Sequence, residues 1–145
     1  MKTNKNTIYD IAIIGAGVSG CMIAREMSMF DLNICVLDKA YDVSSGASKA
    51  NSAIVHAGYD PIPGTLKSKL NARGAKLMKT AVKELEVEYK VLPSLVLAYD
   101  EEQMNTVLAL KERADDNGVS VKTISREEVL TIEPMVNPDV VGALY

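Results

Sequence analysis

The sequence predicts an α/β fold that opens with a parallel βαβ unit, and three observations carry that prediction. Ile8 to Ile14 is almost continuously apolar and β-branched and stops abruptly at Gly15, as expected of a central parallel strand covered on both faces. From Val18 to Phe30, Met22, Ile23, Met27 and Phe30 recur at helical spacing, with Arg25, Glu26 and Ser28 between them. Asn33 to Leu37 then returns to strand character, and strand, helix and strand within about 30 residues make one βαβ unit.

Beyond that unit, Asp42 to Ser52 is rich in Ser, Gly, Ala and Asn and reads as a long loop whose backbone can approach a ligand. After Pro61 and Pro63, Thr65 is placed to cap a long helix with Leu66, Leu70, Leu77, Met78, Ala81, Val82 and Leu85 on one side. Lys67, Lys69, Arg73, Lys76, Lys79 and Lys83 crowd the rest of it. A solvated face accounts for them, and an electrostatic role near an anionic substrate is the alternative.

Tyr89 to Val91 and Leu95 to Tyr99 read as two strands around Pro93. Asp100 with Gln103 resembles a reciprocal cap, opening a helix whose apolar side holds Met104, Val107, Leu108 and Ala114. Gly118 sits where a left-handed residue would end it. Val121 to Ile124 is a short strand candidate, and Ser125 with Glu128 forms an S-x-x-E capping box for a helix that stops near Pro134. Val140 to Tyr145 reads as a strand entered with no turn, cap or polar tail after it. The expectation is a truncated chain, whose uncovered strand edges and apolar faces would favour self-association.

With 145 residues, 48% of them apolar and 24% charged, the chain has the balance of a globular domain with a real core. A net charge of −3 argues against nucleic acid and anionic lipid as partners. The longest apolar runs, Ile11 to Ile14 and Val91 to Ala98, fall far short of the roughly 20 residues of a membrane span, so no transmembrane segment is expected. Met1 to Asn6 lacks the pattern of a secretory leader, which makes a cytoplasmic location the default expectation. Cys21 and Cys35 lack the spacing of a metal or redox site and read as reduced, buried thiols.

The chemistry lies in Gly15-Ala16-Gly17-Val18-Ser19-Gly20, a G-x-G-x-x-G loop that follows a strand and opens a helix. In such a loop Gly15 allows the tight turn, Gly17 lets a pyrophosphate reach backbone, and Gly20 lets helix and strand pack closely. Val18 and Ser19 begin the helix, whose N-terminal N–H groups and partial positive charge suit phosphate. Asp38, 18 residues after Gly20, stands at the end of the second strand, where a carboxylate can accept hydrogen bonds from both ribose hydroxyls of an adenosine. A solvated strand end is the plainer account of it. A 2′-phosphate would call for an arginine nearby, and the cation immediately available is Lys39. FAD and NAD share this ADP half, so the loop alone leaves the two open. Ser44, Ser45, Ser48, Asn51 and Ser52 supply more short donors than a simple NAD unit needs, or form just a polar surface loop.

Tyr9 to Gly17, Asp38-Lys39, Ser45-Gly46-Ala47-Ser48-Lys49-Ala50-Asn51-Ser52-Ala53-Ile54-Val55-His56-Ala57-Gly58-Tyr59 and Pro63 to Leu70 resemble the D-amino-acid-oxidase-like superfamily of FAD-dependent oxidoreductases. Glu133-Pro134 to Tyr145 resembles the approach to the substrate-domain strand in the same family. Within it the sequence most resembles the anaerobic-type bacterial glycerol-3-phosphate dehydrogenases and the L-2-hydroxyglutarate oxidases. The resemblance implies a Rossmann-like FAD-binding part over residues 1–60 and the beginning of an α+β substrate domain over 61–145. It implies FAD as cofactor, with Asp38 and Lys39 at the adenosine end and Ser45, Ser48, Asn51 and Ser52 running along the pyrophosphate toward the flavin. His56 would lie near the isoalloxazine ring, assisting proton removal from a substrate hydroxyl, shaping the flavin pocket, or serving only as a structural histidine.

The implied reaction is oxidation of a small anionic secondary alcohol, glycerol 3-phosphate first, by hydride transfer to flavin. L-2-hydroxyglutarate oxidation is the alternative within the family; an NAD-binding dehydrogenase and a non-catalytic nucleotide-binding module are the alternatives outside it. Members of the family are longer, so this chain by itself is expected to be inactive.

Overall fold

The computed structural model describes residues 8–145. The elements are, in order, β1 (Ile11–Ile14), α1 (Val18–Met27), β2 (Ile34–Leu37), α2 (Leu66–Glu84), β3 (Val96–Ala98), α3 (Glu101–Asp116), β4 (Thr123–Ser125), α4 (Arg126–Ile132) and β5 (Gly142–Leu144). The chain divides between Ile54 and Val55 into two compact units.

In the first unit β1 and β2 pair in parallel, with Ile11 opposite Ile34 and Ile14 opposite Leu37. The ladder starts at Ile11 rather than Ile8 because Asp10 and Asn33 close it off: Asp10 N–H donates to the Asn33 carbonyl, and Asn33 N–H to the Asp10 carboxylate at 2.8 Å. Helix α1 covers one face. Ile13 and Ala16 are buried, whereas Ile14 on the opposite face is 89% exposed. The expectation of a strand covered on both faces is therefore corrected: among the described residues only the α1 side is covered, and alternation along the strand sends Ile14 the other way. Helix α1 is also shorter than its apolar spacing suggests. It ends at Met27, where the Ser28 N–H donates to the Ala24 carbonyl and its hydroxyl to the Arg25 carbonyl, leaving Phe30 outside and exposed.

The second unit is built on an antiparallel sheet ordered β3-β5-β4. Successive residues of β5 feed two apolar clusters, one on each face of the sheet. Ala143 joins Ile124, Val129 of α4 and Val140, while Leu144 joins Ala98 and Val107 of α3. Gly142 lies where backbone crowds the strand, since a Cβ there would stand 3.0 Å from the Ile124 carbonyl oxygen. The predicted caps form. Thr65 accepts the Ser68 N–H, Asp100 accepts the Gln103 N–H at 2.8 Å, and Ser125 and Glu128 complete a reciprocal capping box. Gln103 reaches back to the N–H of Tyr99 rather than of Asp100, and Gly118 ends α3 at φ +66°.

Three sequence expectations are revised here. Tyr89 to Val91 forms no strand: Val91 is 75% exposed, and β3 takes its ladder partners from β5. Leu108 is half exposed, the buried side of α3 running through Val107 and Ala114. Helix α2 forms as expected, yet Leu66, Leu70, Leu77 and Leu85 remain exposed, and its buried residue is Ser68. Among the described residues no helix is long and apolar enough to cross a membrane.

Candidate dinucleotide site

Gly15 holds φ +103°, a conformation that lets the chain reverse out of β1 without the strain a side chain would impose, and its N–H donates to the Leu37 carbonyl at 2.7 Å. Gly17 is the N-cap of α1, and the first turn of the helix carries no acidic side chain. The positive end of the helix is thus left for an external anion. Ser48 approaches that end, its hydroxyl accepting the Val18 N–H at 2.8 Å. A Cβ on Gly17 would stand 3.1 Å from this hydroxyl. At Gly20 a Cβ would collide with the Gly15 carbonyl oxygen and touch Ile13, so the third glycine serves closure of the loop on itself as well as packing of helix on strand. Val18 and Ser19 are exposed at the helix start.

The carboxylate of Asp38 accepts the Ala16 N–H at 2.7 Å through one oxygen and the Ala40 N–H at 2.8 Å through the other. The Ala16 bond and then the Ala40 bond hold its pKa below the usual carboxylate value, and the Lys39 charge adds a smaller push the same way. Beside it opens a concavity of about 500 Å³ whose walls include Ala16, Cys21, Ala24, Val36, Tyr41 and Val43. Largely apolar walls with two carboxylates, Asp38 and Asp42, among their residues suit a nucleoside, a flat body carrying hydroxyl donors.

The loop after β2 is held by its own side chains. Ser44 N–H donates to the Ala16 carbonyl, the Ser45 hydroxyl to the Asp42 carbonyl, and the Asn51 amide both donates to the Ser48 carbonyl and accepts the Ala53 N–H. Of the predicted binding residues, the structure brings Gly15, Gly17, Val18, Gly20, Asp38 and Ser48 together. Ser45 and Asn51 are engaged with the loop backbone, and Lys39 and Ser52 are exposed. Two positions carry weight that sequence reading missed: Ala16 and Ala40 contribute main-chain N–H groups, which no side chain advertises.

His56 belongs to the second unit. It is exposed at a concavity of about 310 Å³ shared with Gly58, Asp60, Lys67 and Asn71. Gly58, at φ +97°, packs so tightly on α2 that a Cβ would stand 3.0 Å from the backbone of Ala72.

A family model for FAD dependent oxidoreductases matches residues 10–145. The chain belongs to that family. Its cofactor is therefore FAD, which settles the choice that the glycine loop leaves open. A glycerol 3-phosphate dehydrogenase of Caloramator mitchellensis is 49% identical over 139 residues, covering 95% of this chain and 29% of that protein. A mitochondrial L-2-hydroxyglutarate dehydrogenase of Dictyostelium discoideum is 35% identical, covering 93% and 31%. Among solved structures, a dithionite-reduced L-α-glycerophosphate oxidase from Mycoplasma pneumoniae with FAD bound superposes with a TM-score of 0.84 at 31% identity, covering 96% of this chain and 37% of that one. The chain spans about a third of the length of these relatives.

The site's residues fit the ADP half of FAD. The acid-free helix end, the bare Gly17 and the ionised Asp38 answer in turn to the charge, the bulk and the hydroxyls of that group.

Proposed function

We propose that this chain is the amino-terminal part of an FAD-dependent dehydrogenase that oxidises glycerol 3-phosphate to the corresponding ketone. The observation that carries the substrate is the 49% identity, over 95% of the chain, to a glycerol 3-phosphate dehydrogenase. The 35% identity to an L-2-hydroxyglutarate dehydrogenase makes that 2-hydroxy acid the second reading. In both cases the substrate is a small anionic secondary alcohol.

In this proposal residues 1–60 form the FAD-binding part and 61–145 open the substrate domain. Gly17, Ser19 and Gly20 line the pyrophosphate site at the helix N-terminus, while Gly15 and Val18, whose N–H groups go to the Leu37 carbonyl and the Ser48 hydroxyl, hold the loop in shape around it. Ser48 joins them, because a hydroxyl that accepts the Val18 N–H still has its own proton to donate to a phosphate oxygen. Asp38 takes the ribose hydroxyls, with Lys39 beside it, while Ser45, Asn51 and Ser52 set the course of the loop toward the flavin. FAD, when bound, supplies the acceptor for the hydride that leaves the substrate carbon. His56 accepts the proton of the substrate hydroxyl as that carbon becomes a carbonyl. A cytoplasmic location belongs to the same proposal, and the free thiols of Cys21 and Cys35 suit a reducing compartment.

An absorbance spectrum of the purified full-length enzyme, followed by anaerobic addition of each substrate, tests the reading. Flavin bands that bleach with glycerol 3-phosphate are expected. Bleaching with L-2-hydroxyglutarate alone would move the substrate to the second reading, and a protein that purifies and folds without flavin would overturn the cofactor assignment.

A further inference from the structure

We infer that Asn117 is a positioning residue for His56, an inference that rests on the catalytic role proposed above for that histidine. Asn117 caps the C-terminal end of α3, far from His56 in sequence. Its side-chain amide nitrogen donates to the Gly58 carbonyl at 3.1 Å and to the Pro61 carbonyl at 2.8 Å. One residue thereby gathers both ends of a tight turn that begins two positions after the imidazole.

The arrangement is specific to a primary amide. Both partners are carbonyl oxygens, so the group that faces them must carry two N–H donors and no competing acceptor, and the Asn117 –NH2 group meets that need without a net charge. Gly58 and Pro61 are both buried, so water cannot readily replace either bond. Arg113, one turn earlier on α3, donates to the intervening Asp60 carbonyl at 3.3 Å. Three carbonyls within four residues thus hang from the last turn of one helix.

That helix is a firm mount. Val107 and Ala114 are fully buried on its inner side, and Val107 packs with Ala98 and Leu144 of the sheet. On the other side the turn meets α2, where a Cβ on Gly58 would stand 3.0 Å from the Ala72 backbone and the residue holds φ +97°, a conformation that favours glycine. Held between two helices, the turn has little room to shift, and His56 enters it directly. A proton acceptor works only within hydrogen-bond reach of the hydroxyl it serves, and displacement by about 1 Å can cost on the order of a hundredfold in rate. Gly58 closes the turn by shape, and Asn117 closes it by hydrogen bonds.

The test is the limiting rate of anaerobic flavin reduction by glycerol 3-phosphate in the full-length FAD enzyme, for Asn117→Asp, His56→Ala and the double variant. Asp has the shape of Asn but offers carboxylate oxygens to the two carbonyls. The expected result is a limiting rate lowered by about tenfold or more in Asn117→Asp, with flavin content and substrate dissociation constant nearly unchanged. In the His56→Ala background the same substitution should change the rate by less than about twofold, because the histidine it positions is gone. Asn117→Gln, which keeps the –NH2 group, should recover part of the rate.

An unchanged rate in Asn117→Asp overturns the inference, as does an equal loss with and without His56. If His56→Ala alone reduces flavin at the full rate, the catalytic reading of His56 falls and the inference with it; a slow His56→Ala beside a fast Asn117→Asp overturns the inference alone. Should Asp at this position prevent folding, Asn117→Ser, which keeps one donor and adds no charge, is read by the same criteria.

Discussion

The Ala16 amide donates to the Asp38 carboxylate at 2.7 Å and so ties the buried middle of the glycine loop to the end of β2, 22 residues away. The next peptide unit is held as well, since the Ala16 carbonyl accepts the Ser44 N–H at 2.8 Å. Asp38 therefore shapes the loop, and in the proposed function the same carboxylate also meets the adenosine. Asp38→Ala should lower flavin retention in the full-length enzyme by about tenfold or more, since charge-assisted bonds to backbone are among the stronger hydrogen bonds. Flavin absorbance per protein after gel filtration reads the effect, and an unchanged ratio would remove Asp38 from the site.

The pH dependence follows from the same carboxylate. Its folded pKa lies below the ordinary value of 3.8, chiefly through the Ala16 and Ala40 N–H bonds. A depressed pKa means a contribution that is present above the unfolded value and lost as pH falls through the folded one. Flavin retention should therefore be flat from neutrality down to about pH 4 and fall below it, and Asp38→Asn should remove this group's share of the acid dependence. Parallel acid profiles for the two proteins would show that other groups govern the loss.

Two glycines separate steric need from mere permissiveness. A Cβ at Gly20 meets the Gly15 carbonyl oxygen, whereas one at Gly46 meets nothing within 4 Å. Gly20→Ala should displace the loop and lose flavin, while Gly46→Ala should retain it. Equal flavin content in the two variants would contradict the packing described here.

In the second unit Val107 is 1% exposed and Leu108 is 46% exposed on the same helix. Val107→Ala should cost about 2 kcal/mol of stability from lost burial and the cavity left behind. Leu108→Ala should cost less than about 0.5 kcal/mol. Urea unfolding of the full-length enzyme, followed by a probe in this domain, distinguishes them; a reversed order would mean that α3 buries its other side.

The isolated 145-residue chain is expected to self-associate and to turn over no substrate. Ile14 and Leu37 lie exposed on the first unit, and Leu66, Leu70 and Leu77 on α2. Light scattering that shows a clean monomer at micromolar concentration would argue against association, and any substrate-dependent flavin bleaching by this chain would overturn its inactivity.

Local signals are legible in the sequence because their causes are local. Thr65, Asp100 and Ser125 cap helices through N–H groups three residues away, and Gly118 ends α3 by its own dihedral freedom, so each could be named from a few neighbouring letters. Tyr89 to Val91 has the composition of a strand but no partner among the described residues, and a ladder depends on residues distant in sequence. The leucines of α2 show the same division, since periodicity predicts the helix but not what covers it.

The glycine loop, its strand–helix setting and Asp38 at the end of β2 were legible from the sequence alone, because the chemistry of phosphate binding demands those residue types at those spacings. Only the tertiary structure could show that Ser48 reaches the start of α1, that Ala16 and Ala40 lend their N–H groups to Asp38, and that Asn117 holds the turn after His56. The reason is physical: these bonds use backbone groups common to nearly every residue, so what selects them is position in space, which the sequence specifies only through the whole fold.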